Sequence, residues 1–142
     1  MLNNQCSMGN MVKNDTEKRV YDLEERTARF AEAIIDFCKT IPENVITRPI
    51  ITQLVKAGTS QAANYYEACE AETTKDFIHK IGIVLKEIRE TKLWLRLIAR
   101  AHEPCKNRSR ELWKEAHELN LIFAKSRKTA KENEAKQQRI HH

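Results

Sequence analysis

Apolar residues recur along most of this chain at alternating steps of three and four, the spacing that keeps side chains on one face of an α-helix. The first series is Val20, Leu23, Thr27, Phe30, Ile34 and Cys38, which predicts a helix from about Asp15 to Lys39. Ile41–Pro42 ends it, because proline lacks an N–H and its ring opposes the preceding turn. Thr47, followed by Pro49, reads as an N-cap and first turn. A second helix to about Cys69 is therefore expected, with Ile50, Ile51, Leu54, Val55, Ala62, Tyr65 and Tyr66 as its apolar complement and Ala57, Gly58, Ala62 and Ala63 allowing close approach. Thr73-Thr74-Lys75-Asp76 reads as a cap with an acid in the first turn, where the helix dipole favours it. The third helix then runs to about Ala101, ahead of Pro104, with a seam of Phe77, Ile81, Val84, Ile88, Leu95 and Ile98. Ile78, Leu85, Leu93, Trp94 and Leu97 widen that seam. A fourth helix is expected from about Ser109, carrying Leu112, Ala116, Leu119, Phe123 and Ala130.

Four amphipathic helices with short connections pack best as an antiparallel up-down-up-down bundle, at crossing angles of about 20°. The fold class is all-α. With 3 Gly and 3 Pro in 142 residues, the chain lacks the turn punctuation of a many-stranded sandwich or barrel. One domain accommodates this length. Residues 1–14 have no periodicity and read as a disordered tail, residues 15–130 as the bundle, and residues 131–142 as a frayed basic tail without an apolar face. The broad apolar arc of helix three needs cover beyond its own bundle, and a second copy of the chain is the simplest cover.

No apolar run approaches the roughly 20 residues of a membrane span. The opening segment lacks the continuous apolar stretch of a secretory signal, so a cytoplasmic protein is expected. Cys6, Cys38, Cys69 and Cys105 lie far apart, in neither a zinc pattern nor a dense disulfide framework, and are expected to be reduced thiols.

The formal charge is +5, and its distribution is uneven. Residues 104–142 hold ten Lys or Arg against five Glu, a net of +5, leaving fifteen of each sign before them. Such an excess attracts phosphates or an acidic partner. Lys86, Arg89, Lys92, Arg96 and Arg100 recur on one side of helix three, where they can neutralise phosphates without base-reading geometry. In a monomer such a stripe is ordinarily a solvated face. In a ring of several copies the fields add. Lys125, Arg127 and Lys128 open a second cluster that can fold onto RNA or DNA, though no aromatic residue is interleaved to stack on bases. Gln53, Ser60, Asn64 and Glu67 form a polar line along helix two, met from helix three by Glu87 and Glu90. Polar groups within a bundle more often fix register than catalyse, so this line is read as structural.

The run Lys75-Asp76-Phe77-Ile78-His79-Lys80, then Lys86-Glu87, Glu90-Thr91 and Trp94-Leu95-Arg96-Leu97, resembles the third-helix signature of the four-helix bundle proteins encoded in intervening sequences of bacterial 23S ribosomal RNA genes. Gln53, Ser60, Asn64 and Glu67 resemble that family's Q…S…N-x-x-E pattern in helix two, and with Leu119 and Ile122 the likeness covers residues 18–125. Ala68 stands where the family usually has glycine, so the turn after helix two is expected to begin later. The resemblance implies an antiparallel bundle, a homopentamer and no catalysis. The chain also resembles the bundle accessory protein of diversity-generating retroelements, a positively charged pentamer that binds nucleic acid and a reverse transcriptase. RNA or DNA, and a protein partner such as a reverse transcriptase, are the partners this implies.

Catalytic and metal readings are weaker. Arg96 and His102 resemble the Arg-x4–6-His motif of a helical ribonuclease superfamily, in which histidine would relay a proton and arginine would stabilise the phosphorane. Leu97 stands where that motif usually has a polar residue, and basic residues are abundant enough for chance spacing. Asp76-x-x-His79 lacks the second pair of a di-metal carboxylate site, and His102-x-x-Cys105 lacks further ligands. No catalytic residue, metal site or cofactor is expected. The function expected is therefore a non-enzymatic, self-assembling bundle that presents basic surface to nucleic acid or a nucleoprotein, with a purely structural protein-interaction oligomer as the alternative.

Overall fold

The computed structural model describes residues 13–140, with side chains from residue 22 onward. It consists of α1 (Lys13–Lys39), α2 (Thr47–Cys69), α3 (Thr74–Ala101), a 3₁₀ turn (Glu103–Cys105) and α4 (Lys106–Ile140). Each helix packs on the next and α1 closes the ring against α4, the thinnest of the four seams. This is an antiparallel four-helix bundle, with no strand among the described residues.

The expected elements are present, and several boundaries differ for local reasons. Thr47 is not the N-cap of α2. Asn44 does that work: its Oδ1 accepts from the N–H groups of Ile46 and Thr47 at 2.9 Å each, the turn chemistry that short amide side chains favour. Thr47 is instead a buried brace, accepting from the N–H of Asn44 at 2.9 Å and donating its hydroxyl to the Pro42 carbonyl at 2.7 Å. Thr73 does cap α3, accepting from the N–H of Asp76 at 3.0 Å. Ala68 is buried, and α2 runs past it to Cys69 before turning.

α4 starts at Lys106, ahead of Ser109, because the 3₁₀ turn after His102 leads straight into it. Ser109 is buried and donates to the Leu95 carbonyl at 2.6 Å. At its other end the helix does not fray near residue 130 but continues to Ile140, although residues 131–140 are exposed apart from the half-buried Glu134. Alanine, lysine, glutamate and glutamine have high helix propensity, which sustains the backbone there without an apolar face. α1 begins at Lys13, two residues before the expected start. The tail expected over residues 1–14 otherwise lies outside the described residues, as do Cys6 and the side chain of Val20.

Phe30, Ile34 and Phe37 of α1, Leu54 and Tyr65 of α2, Ile81, Val84, Ile88, Leu95 and Ile98 of α3, and Leu112, Leu119 and Phe123 of α4 form one core. In α3 the seam begins at Ile78, not at the half-buried Phe77, and Thr91 fills the step between Ile88 and Leu95. The Thr91 hydroxyl donates to the Glu87 carbonyl at 2.8 Å, which removes the cost of burying it. Cys38, Cys69 and Cys105 are buried thiols outside any disulfide. Burial, with the neighbouring Cys105 as a smaller cause, pushes the Cys38 thiol up to about 11. It is therefore an inert packing group at neutral pH.

Candidate nucleic-acid interface

Two open grooves of nearly equal size run along α4, and their charges differ sharply. The groove between α1 and α4, about 630 Å³, is lined by Arg26, Arg29 and Arg108 with Asp22, Glu25, Glu111 and Glu115. All three cations are paired. Arg26 grips Glu115 through two bonds of 2.8 Å, Arg29 meets Glu25 at 2.8 Å and Arg108 meets Glu111 at 2.9 Å. The pairs leave no excess of positive charge in this groove, and Arg26–Glu115 ties α1 to α4.

The groove between α3 and α4, about 610 Å³, is lined by Arg96, Arg100, Lys106, Arg110 and Lys114 against the single acid Glu103. None of the five cations forms an ion pair among the described residues. Its floor is largely apolar, made by Leu95, Ala99 and Trp113 with the buried Ser109, whose hydroxyl donates to the Leu95 carbonyl. The antiparallel register makes the site: the last turns of α3 carry Arg96 and Arg100 to the level where α4 begins with Lys106 and Arg110. At neutral pH arginine and lysine are fully charged, so the groove holds concentrated positive potential over a low-dielectric floor.

Trp113 is fixed in place. His117 stacks on it with ring centroids 5.2 Å apart, and the Lys92 ammonium lies 4.6 Å from an indole ring centroid. Lys92 also donates to Nδ1 of His117 at 3.0 Å. Lys92 is thus partly occupied within the protein, whereas Lys86, Arg89, Arg96 and Arg100 are exposed. The structure brings Arg96 and Arg100 into one groove and leaves Lys86 and Arg89 on the open face of α3.

The second cluster is divided. Lys125 and Lys128 are exposed, but Arg127 folds back to donate to the Ile78 carbonyl at 3.0 Å, with its guanidinium over Gly82. Arg127 is therefore a brace between α4 and α3, with its Nε committed to that carbonyl. Because α4 runs antiparallel to α3, these residues sit toward the opposite end of the bundle from the groove.

The polar line also lies elsewhere than expected. Gln53 and Glu67 are exposed, and Ser60 and Asn64 are half-buried on the outer side of α2. Asn64 donates to the Ser60 carbonyl at 2.9 Å, and Glu67 pairs with Lys80 of α3 at 2.7 Å. Glu87 and Glu90 are half-buried beside it, and burial, then the Glu90 charge, raises the Glu87 carboxyl above its ordinary value. The buried polar residue of α2 is Gln61, whose Nε2 donates to the carbonyls of Thr27 and Gly58 at 3.0 Å. Gln61 stitches α1 to α2. Arg96 lines the groove but His102, the C-cap of α3, does not.

Sequence reasoning missed Lys106, Arg110, Lys114 and Trp113. One signal was available: α4 opens with no acid in its first turn, although the helix dipole would favour one there.

An all-α bundle with one charge-paired groove and one cationic groove places the chain among helical-bundle proteins, and no described helix is long and apolar enough to cross a membrane. The family model for the 23S rRNA-intervening sequence protein matches residues 19–125, and the chain belongs to that family. It is also similar to the crystal structure of a protein of unknown function from the S23 ribosomal protein family of Bacteroides thetaiotaomicron. That match has a TM-score of 0.69 and 28% identity, covering 77% of this chain and 97% of the other. No curated protein matches significantly.

Proposed function

We propose that this chain is a non-enzymatic, self-assembling bundle that binds nucleic acid, alone or within a nucleoprotein, through the basic surface of α3 and α4. The contrast between the two grooves carries the reading. A chain that needed its cations only for solubility or stability would have no reason to pair every arginine in one groove and leave five cations together in the other. Unpaired cations held side by side are what phosphate neutralisation and counterion release require.

Self-assembly rests on a different observation. Leu93 and Leu97 remain 49% and 36% exposed on the outer face of α3, between the basic residues. Covering them with sister copies, as in a pentamer, buries the apolar flank and sums the positive field of each copy. The same leucines favour the alternative of a purely protein-binding oligomer.

Light scattering on protein purified from cytoplasmic extract at low salt, with its ultraviolet absorbance ratio, tests both parts. A mass of several chains and a nucleic-acid excess removable by high salt are expected. A single-chain mass at all concentrations contradicts assembly, and protein free of nucleic acid that also fails to bind added RNA or DNA contradicts the binding role. Cleavage of added RNA that is lost in His102→Ala contradicts the non-enzymatic assignment.

A further inference from the structure

We propose that the α3–α4 groove is a site for single-stranded nucleic acid, with phosphates on its cationic rim and one base lying against the Trp113 floor. The inference rests on the nucleic-acid reading above and narrows it to a ligand class and a place.

The groove combines two surfaces that a double helix cannot use together. A duplex buries the faces of its bases in the stack, so an aromatic floor that could stack on a base face gains nothing from it, whatever the cations gain from its phosphates. An unpaired strand exposes both, and aromatic side chains between backbone-tracking cations are the usual way of holding it. Here Arg96 and Arg100 stand on one wall, Lys106, Arg110 and Lys114 on the other, and Leu95, Ala99 and Trp113 lie between them. The volume of about 610 Å³ falls within the roughly 300–1,000 Å³ of small-ligand sites.

Two further observations fit this occupant. Trp113 is already immobilised by His117 and Lys92, so little side-chain freedom remains to be lost when a base packs on it. The start of α4 places Lys106, a lining residue of this groove, at the positive end of a helix dipole with no acid in the first turn. That charge and the dipole oppose one another in the free protein, and a phosphate at that level offsets both. Because every base has an apolar face on which to stack, binding of this kind tolerates many sequences.

The test uses the full chain, a short labelled oligouridylate and a labelled duplex of the same length, at one salt concentration. The single strand is expected to bind at least about tenfold more tightly, and Arg96→Glu with Arg110→Glu to weaken it at least about tenfold, with the slope of log K against log salt reduced by about one to two. Both arginines are exposed, and an unchanged helical circular dichroism spectrum shows that the double variant folds. In Trp94→Phe, Trp113 is the sole tryptophan of the two, and oligouridylate is expected to quench its emission.

Equal or tighter duplex binding overturns the single-strand assignment. Wild-type binding that survives the double charge reversal, or that leaves Trp113 emission unchanged, overturns the groove assignment while the broader nucleic-acid reading stands. A wild-type chain that binds neither probe overturns both.

Discussion

Phe123→Ala is expected to lower folding stability by about 3–5 kcal/mol, the range for removing a fully buried aromatic ring. Phe123 has 0% exposure in the last core layer of α4, and its ring packs on Tyr65 of α2 with centroids 4.9 Å apart at 52°. Its loss therefore leaves a cavity and removes a tilted aromatic contact across the bundle diagonal. Against a total of about 5–15 kcal/mol, such a loss leaves the chain close to unfolding. Urea denaturation followed by circular dichroism reads it directly. A midpoint unchanged from wild type would mean that this layer is not packed as described.

The second large effect concerns a close approach of α1 to α2 at Gly58. A Cβ added at Gly58 would sit 2.9 Å from Cγ2 and 3.0 Å from Cγ1 of Ile34, itself 0% exposed. Those atoms belong to a β-branched side chain with one favoured rotamer in a helix, so they cannot swing aside. Gly58→Ala gains up to about 1 kcal/mol of helix propensity and loses about 1–3 kcal/mol to overpacking, a net loss of about 1 kcal/mol. Gly58→Val, with two more methyl groups and a poorer helix propensity, is expected to cost about 3 kcal/mol. Thermal unfolding of the two variants beside wild type checks the order. If Gly58→Val melts with wild type, the helices do not approach as closely as 2.9 Å implies.

Much of this fold is legible in the sequence because helical periodicity and proline placement act locally. Ile34, Ile81, Ile88, Leu95 and Leu119 fall on the stripes their spacing predicts, and all have 0% exposure. Gln61 was legible too: it lies midway between Leu54, Ala57 and Tyr65, Ala68 on the buried stripe of α2, whereas the line through Gln53 and Glu67 follows the outer side. Caps were harder, since Asn44 and Thr47 both suit a helix start and only the backbone path decides which oxygen faces the free N–H groups.

The site divides in the same way. Arg96 and Arg100 share a helix face, so their spacing reveals them as a pair. Their joining to Lys106, Arg110 and Lys114 depends on how α4 folds back beside α3, a register that one-dimensional spacing does not carry. Arg127 shows the converse. Its sequence context is a basic cluster, but a backbone carbonyl of α3 takes its guanidinium, and nothing local signals that partner.

The most direct test of the account is the salt dependence of wild-type binding to a single-stranded oligonucleotide, from low to physiological ionic strength. If the five groove cations neutralise phosphates, log K falls linearly with log salt at a slope of about −3 to −4, near −0.7 for each phosphate contacted. A flat line, or no binding at the lowest salt, would contradict it.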